Sequence, residues 1–240
     1  MKLSTRYALV LWLLFLAVPL YANITIDGES VHVETDRYAV EFNKGIITHI
    51  DNKLTDETYI IGKGPLNWSG MSSYRSGKLE KRVSTLWTPL VSATLIDPFH
   101  AELLFQQEDS EVRLYIRIDR GTGDLLIDLE GESDLPGVVA LHWGVGDLDI
   151  QNLSIIVPGS GGRIIDVNTP IDAIGHDYPG SSWEAQLAII QGDRGGFYVR
   201  NTDNTFQFKK FTYDRLDDGC LLYTSPSPRD RTRSRMPSSA

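Results

Sequence analysis

From Val112 to Asp119 the chain reads V-R-L-Y-I-R-I-D. Val112, Leu114, Ile116 and Ile118 fall on one side of an extended backbone, and Arg113, Arg117 and Asp119 on the other. A period of two with one apolar side predicts a half-buried antiparallel strand. Comparable runs predict strands at Val31–Thr35, Tyr38–Phe42, Ile46–Ile50, Leu90–Leu95, Leu103–Gln106, Leu125–Leu129, Val138–Trp143 and Leu153–Val157, then at Ala188–Ile190, Gly196–Arg200 and Thr205–Tyr213. Turn formers separate them: Asn43-Lys44-Gly45, Asp97-Pro98, Gly121-Thr122-Gly123, Pro158 to Gly162 and Gly192 to Gly196. No long stretch carries a helical period. Many short strands so punctuated predict an all-β chain, a large antiparallel β-sandwich in one domain, with no internal repeat. Ile61 to Arg82, with Gly62, Gly64, Pro65, Gly70 and Gly77, reads as an extended loop holding short strand pieces. Loops of that kind often carry binding residues.

Both ends depart from this pattern. Lys2 and Arg6 precede the apolar run Ala8 to Val18, and Pro19 and Ala22 follow it. That order predicts a signal peptide over residues 1–22 and a secreted or periplasmic product, with no stable membrane span after cleavage. An uncleaved anchor is the alternative. At the other end, Cys220 to Ala240 has no apolar period, four Arg and no Lys. Back-translation of Cys220–Asp230 and of Ser234–Ala240 gives the two parts of a transposase-type library adapter. Residues 220–240 are therefore read as a non-native tail, expected to pack against little and to complete no sheet. The sandwich is then residues 23–219, possibly incomplete at its C-terminal end.

This division alters the charge. The two ends hold six basic residues and one acidic residue, so the net −9 of the whole chain becomes −14 for residues 23–219. Such acidity disfavours nucleic acid and anionic membranes as partners and suits a neutral ligand such as a sugar. The chain's single cysteine is Cys220. Residues 23–219 thus have no thiol for catalysis or zinc ligation, and a chain of this size needs no disulfide staple.

Two segments carry a resemblance. Tyr38-Ala-Val-Glu-Phe-Asn-Lys-Gly-Ile-Ile-Thr-His-Ile-Asp-Asn-Lys53 reads as a hairpin turning at Gly45. It resembles the first hairpin of galactose-mutarotase-like β-supersandwich domains. Tyr178-Pro-Gly-Ser-Ser-Trp-Glu-Ala-Gln186, then Gly195-Gly-Phe-Tyr-Val-Arg-Asn-Thr-Asp203 and Lys209-Lys-Phe211, resemble the succession closing that sandwich in secreted glycoside hydrolases. These are the α-galactosidase-like enzymes and relatives of endo-α-N-acetylgalactosaminidases. Thr202 departs from the pattern, where a His before the Asp is common. The resemblance implies that a (β/α)8 barrel in cis, C-terminal to the sandwich, supplies the two catalytic carboxylates. It implies an N-terminal carbohydrate-associated domain with no catalytic residue of its own, and an oligo- or polysaccharide as partner.

Trp183 is the first candidate for sugar contact, because an indole face stacks on a pyranose ring and its N–H donates a hydrogen bond. The same residue would serve as a core tryptophan. Asp177 and Glu184 flank that loop and could accept bonds from hydroxyls, or simply face solvent. Asp203 either fixes a turn or touches ligand. Trp68 and Tyr74 could line a groove or pack locally. His32, His49, His100, His142 and His176 show no metal-binding spacing, with His49 and His142 read as structural, so no metal or cofactor is expected. Asp147 and Asp149 lack the glycine and closing Glu of a calcium loop; Gly159–Gly162 lacks the Lys-Ser/Thr of a phosphate loop and reads as a turn. Asn23, Asn67 and Asn152 begin glycosylation sequons. Two further readings stay open. One is a self-sufficient sugar epimerase of the mutarotase type, which needs a general base and acid facing across a groove. The other is a non-catalytic extracellular carbohydrate-binding or surface β-domain.

Overall fold

The computed structural model describes residues 22–60, 69–75, 78–134, 138–159, 161–170, 173–178, 180, 185–203, 209–216 and 219–226. Every regular element among them is a strand. In chain order these are β1 (Ala22–Asp27), β2 (Ser30–Thr35), β3 (Tyr38–Asn43), β4 (Ile46–Asn52), β5 (Glu57–Thr58), β6 (Gly70–Arg75), β7 (Lys78–Ser84), β8 (Leu90–Asp97), β9 (His100–Gln107) and β10 (Ser110–Ile118). They continue as β11 (Leu125–Ser133), β12 (Val138–Leu148), β13 (Ser154–Val157), β14 (Arg163–Ile165), β15 (Ala173–Tyr178), β16 (Leu187–Gln191), β17 (Gly196–Arg200), β18 (Lys209–Leu216) and β19 (Gly219–Pro226). Among the described residues no helix is long and apolar enough to cross a membrane.

The strands form four antiparallel sheets. Two are meanders, β1 to β5 in order and β8 to β11 in order. The third has the order β15-β18-β19-β12-β6-β7, and the fourth β14-β13-β16-β17. The all-β antiparallel sandwich expected from the sequence is what the chain builds, and the reason is visible in β10. Its alternate residues Val112, Leu114 and Ile116 are fully buried, while Arg113, Tyr115 and Arg117 remain half-exposed. Burial on one side only fixes the register, because a slip of one residue would expose the whole apolar set. One apolar cluster joins the sheets: Ile24, Val33 and Phe42 from the first, Leu103, Phe105 and Leu114 from the second, Phe211 and Tyr213 from the third, and Ile155 and Ile190 from the fourth.

The turn at Lys44-Gly45 has positive φ at both positions, +48° and +72°, as a two-residue hairpin with the sheet's natural twist requires. Gly45 also sits against Leu114, whose Cδ2 would lie 2.7 Å from an added Cβ. Turn geometry and the contact between two sheets therefore demand the same glycine.

Two expectations are corrected. Part of Ile61–Arg82 is a regular hairpin, β6 with β7, whose Gly70 adopts φ +152° and approaches the Val83 carbonyl so closely that a Cβ would lie 2.1 Å away. Glycine there closes a sheet rather than loosening a loop. The second correction concerns the tail, which does complete a sheet. β19 pairs with β18 from Gly219 to Pro226, and on its other side with β12 through Cys220, Leu222, Tyr223 and Thr224. Backbone pairing does not need an apolar period. Two unpaired edges supply donors and acceptors on both sides, and Leu222, Tyr223 and Thr224 are compatible with strand geometry.

Candidate functional site

Two of the sequence candidates, Asp177 and Asp203, meet the start of β18. Asp177, on β15, stands directly across from Lys210, with its Oδ1 3.8 Å from the lysine Nζ, and both side chains are largely exposed. Asp203 follows β17 and accepts from Lys209 Nζ at 2.9 Å, while its own backbone N–H donates to Asn201 Oδ1. Lys209 is only 2% exposed and Asp203 26%, so a partly exposed carboxylate neutralises an ammonium buried in the sandwich.

Lys209 and Lys210 are adjacent on one strand, so their side chains leave opposite faces of the sheet. Asp177 and Asp203 therefore meet the same strand from opposite sides and cannot flank one ligand. Asp203 is a structural anchor; Asp177 is a surface carboxylate. Trp183 and Glu184 lie outside the described residues, as does Trp68. Phe211, at the third position of the K-x-F pattern, is buried beside Lys209 at 1% exposure. Sequence inspection missed Lys209 as the partner of Asp203, although Asp203 and Lys209 belong to the same quoted succession.

A second polar cluster escaped sequence inspection entirely. The turn between β4 and β5 meets the turn between β16 and β17. Glu57 Oε1 accepts the Arg194 backbone N–H at 2.9 Å, and Oε2 accepts the Thr55 hydroxyl at 2.7 Å and the Tyr59 hydroxyl at 3.3 Å. Asn52 Nδ2 donates to the Tyr59 oxygen at 2.9 Å, and Arg194 Nη2 donates to the Asp56 carbonyl at 2.6 Å. The Arg194 amide, then the Thr55 hydroxyl, hold the Glu57 carboxyl below the usual carboxylate range. Gly192 and Gly195 permit the approach, since a Cβ on either would come within 2.8 Å of Glu57 or Thr55. With every Glu57 oxygen engaged, this cluster is a clasp between two sheets.

The outer face of β9, β10 and β11 carries a network of ion pairs. Arg113 pairs with Glu111 and Glu102 at 3.0 and 3.3 Å, and Arg117 pairs with Asp128. The Tyr115 hydroxyl donates to Glu130 at 3.0 Å, and burial, with that carboxylate, pushes its pKa up to about 12. The histidines divide between surface and core. His49 pairs with Asp51 at 2.8 Å on its own strand, and His142 is buried in β12. Asp149 accepts from the Gln151 backbone and from Asn152 Nδ2, which fixes a turn. Gly162 likewise closes on the Gly159 carbonyl at 3.1 Å.

The fold is an antiparallel β-sandwich of several sheets, in which, among the described residues, Glu57, Asp149 and Asp203 hold turns and strands in place. Within that class the chain is similar in structure to part of a 4-alpha-glucanotransferase from Thermococcus litoralis, with a TM-score of 0.52 and 10% identity over 87% of this chain and 39% of that one. A galactose mutarotase-like protein from Clostridium acetobutylicum aligns at a TM-score of 0.41 and 7% identity over 91% of each chain. The chain thus spans 39% of the length of the glucanotransferase, and at 10% identity the likeness is one of fold. No protein family and no curated protein matches the sequence.

Proposed function

We propose that the chain is a carbohydrate-associated β-sandwich domain of a secreted glycoside-acting enzyme, whose catalytic carboxylates belong to a separate barrel of the same polypeptide. The observation that carries this reading is the fold likeness to a segment amounting to 39% of a glucanotransferase, a protein named for acting on α-glucans. The carboxylates support it by their employment. Asp203 neutralises Lys209, Glu57 clamps a turn, and Asp177 faces away from Asp203, so none of them is poised as an acid–base pair. Sugar contact then falls to the loop holding Trp183 and Glu184 and to the exposed faces of the sheets.

The test is a glycan array probed with the intact chain, followed by product analysis on the bound glycans. Retention of an oligosaccharide without release of shorter products is expected. Release of products would overturn the non-catalytic reading. Anomerisation of free galactose or glucose, followed by NMR, would favour an epimerase instead.

A further inference from the structure

The fourth sheet buries one face and leaves the other open. Ala188, Ile190, Ile155, Val157 and Ile165 point into the core, and Phe197 and Val199 pack against it. The alternate residues face outward. Register places Ile164 beside Ile156, Ile156 beside Ile189, and Ile189 beside Tyr198. These four side chains form one row across β14, β13, β16 and β17. Both ends of the row are open to water, Ile164 at 60% and Tyr198 at 55% exposure. Arg200 follows Tyr198 on the same face, and Gly196 precedes it, leaving one side of the ring unobstructed. Neither Tyr198 nor Arg200 has a hydrogen-bond or ion-pair partner among the described residues. Among the described residues of these four strands no carboxylate projects from this face, in a chain of net charge −9.

We infer that this face is a platform for a neutral oligosaccharide, with the Tyr198 ring as the stacking surface and the Arg200 guanidinium as a donor to sugar hydroxyls. The inference rests on the carbohydrate-associated reading and assigns the contact to Tyr198 and Arg200 on the outer face of the fourth sheet. Size decides between occupants. Four strands at about 4.8 Å spacing, with one outward position on β14, two on β13 and three each on β16 and β17, give a face on the order of 200–300 Å². A stable protein interface takes about 800 Å² from each partner. The platform is too small for a second copy and large enough for a short sugar chain. Chemistry agrees: an apolar floor receives the C–H face of a pyranose, a tyrosine adds a flat ring with a polar tip, and an unpaired guanidinium donates at the margin.

The test titrates the intact chain, Tyr198→Ala, Arg200→Gln and Asp177→Asn with the neutral oligosaccharide the intact chain retains best on an array. Circular dichroism and Tm serve as folding controls, and the exposure of Tyr198 predicts that both stay unchanged. Affinity about tenfold lower for Tyr198→Ala, and lower for Arg200→Gln, with Asp177→Asn unaffected, is the expected result. Binding untouched by Tyr198→Ala and Arg200→Gln would overturn the platform and leave the carbohydrate reading standing. Failure of the intact chain to retain any glycan would overturn both. A concentration-dependent dimer abolished by Tyr198→Ala, seen by sedimentation without sugar binding, would assign the face to a protein contact instead.

Discussion

Asp203 and Lys209 form a charge pair whose ammonium is buried in the sandwich, and such pairs are costly to break from one side. Asp203→Ala leaves an ammonium at 2% exposure with its carboxylate removed, and is expected to lower stability by about 3 kcal/mol, measured by urea unfolding. Lys209→Met in that background removes the stranded charge and should recover much of the loss. An unchanged midpoint for Asp203→Ala would show that the pair does not form in solution. Glu57 gives a pH-dependent counterpart. Its carboxyl pKa is depressed in the folded chain by the Arg194 amide and the Thr55 hydroxyl. A depressed carboxylate contributes stability above its unfolded pKa, and that contribution is lost as pH falls through the folded value. Glu57→Gln should therefore be less stable than the parent at about pH 7 and converge on it at about pH 3, in Tm measured across that range. A gap that stays constant with pH would refute the account. At this scale the sequence exposed candidate acids but not their employment. Asp177 and Asp203 read alike as polar loop residues, and only the opposed faces of Lys209 and Lys210 tell the surface carboxylate from the anchor.

Among the elements, the meanders were the legible part. Leu103, Phe105, Val112, Leu114 and Ile116 alternate because one side of each strand is buried, so burial writes itself into sequence as a period of two. The β6–β7 hairpin was hidden by glycine, which marks a loop in one place and a tight sheet contact in another. The row from Ile164 to Tyr198 was hidden for a different reason: its members lie on four strands, and only the register of three pairings brings them together. β19 stayed hidden because a strand held between two partners can rely on backbone bonds. It also supplies the element-scale prediction. Deleting Cys220–Ala240 strips β12 and β18 of their shared neighbour and leaves two open edges. A loss of about 3 kcal/mol would lower Tm by roughly 6–12 °C, and the exposed edges should promote association at higher concentration. A truncated chain with the parent's Tm would show that β19 adds nothing to the fold, as expected of a translated adapter.

Over the whole molecule, four antiparallel sheets share one apolar cluster, and most charged groups are spent on holding turns and strands to one another. The Glu57 clasp ties the first sheet to the fourth, and the Arg37 guanidinium and Tyr38 hydroxyl tie the turn before β3 to the β10–β11 turn through the carbonyls of Thr122 and Gly123. Among the described residues, the outer face of the fourth sheet is an apolar row bordered by Tyr198 and Arg200, neither of them paired with another described residue. On the proposed reading, such a scaffold contributes binding rather than turnover. The measurement that bears on this most directly is calorimetric titration of the intact chain with neutral oligosaccharides, α-linked glucans and galactans among them, with product analysis of the same samples. Saturable binding with the glycan recovered unchanged is the predicted result. Absence of binding across the panel, or consumption of the glycan, would contradict it.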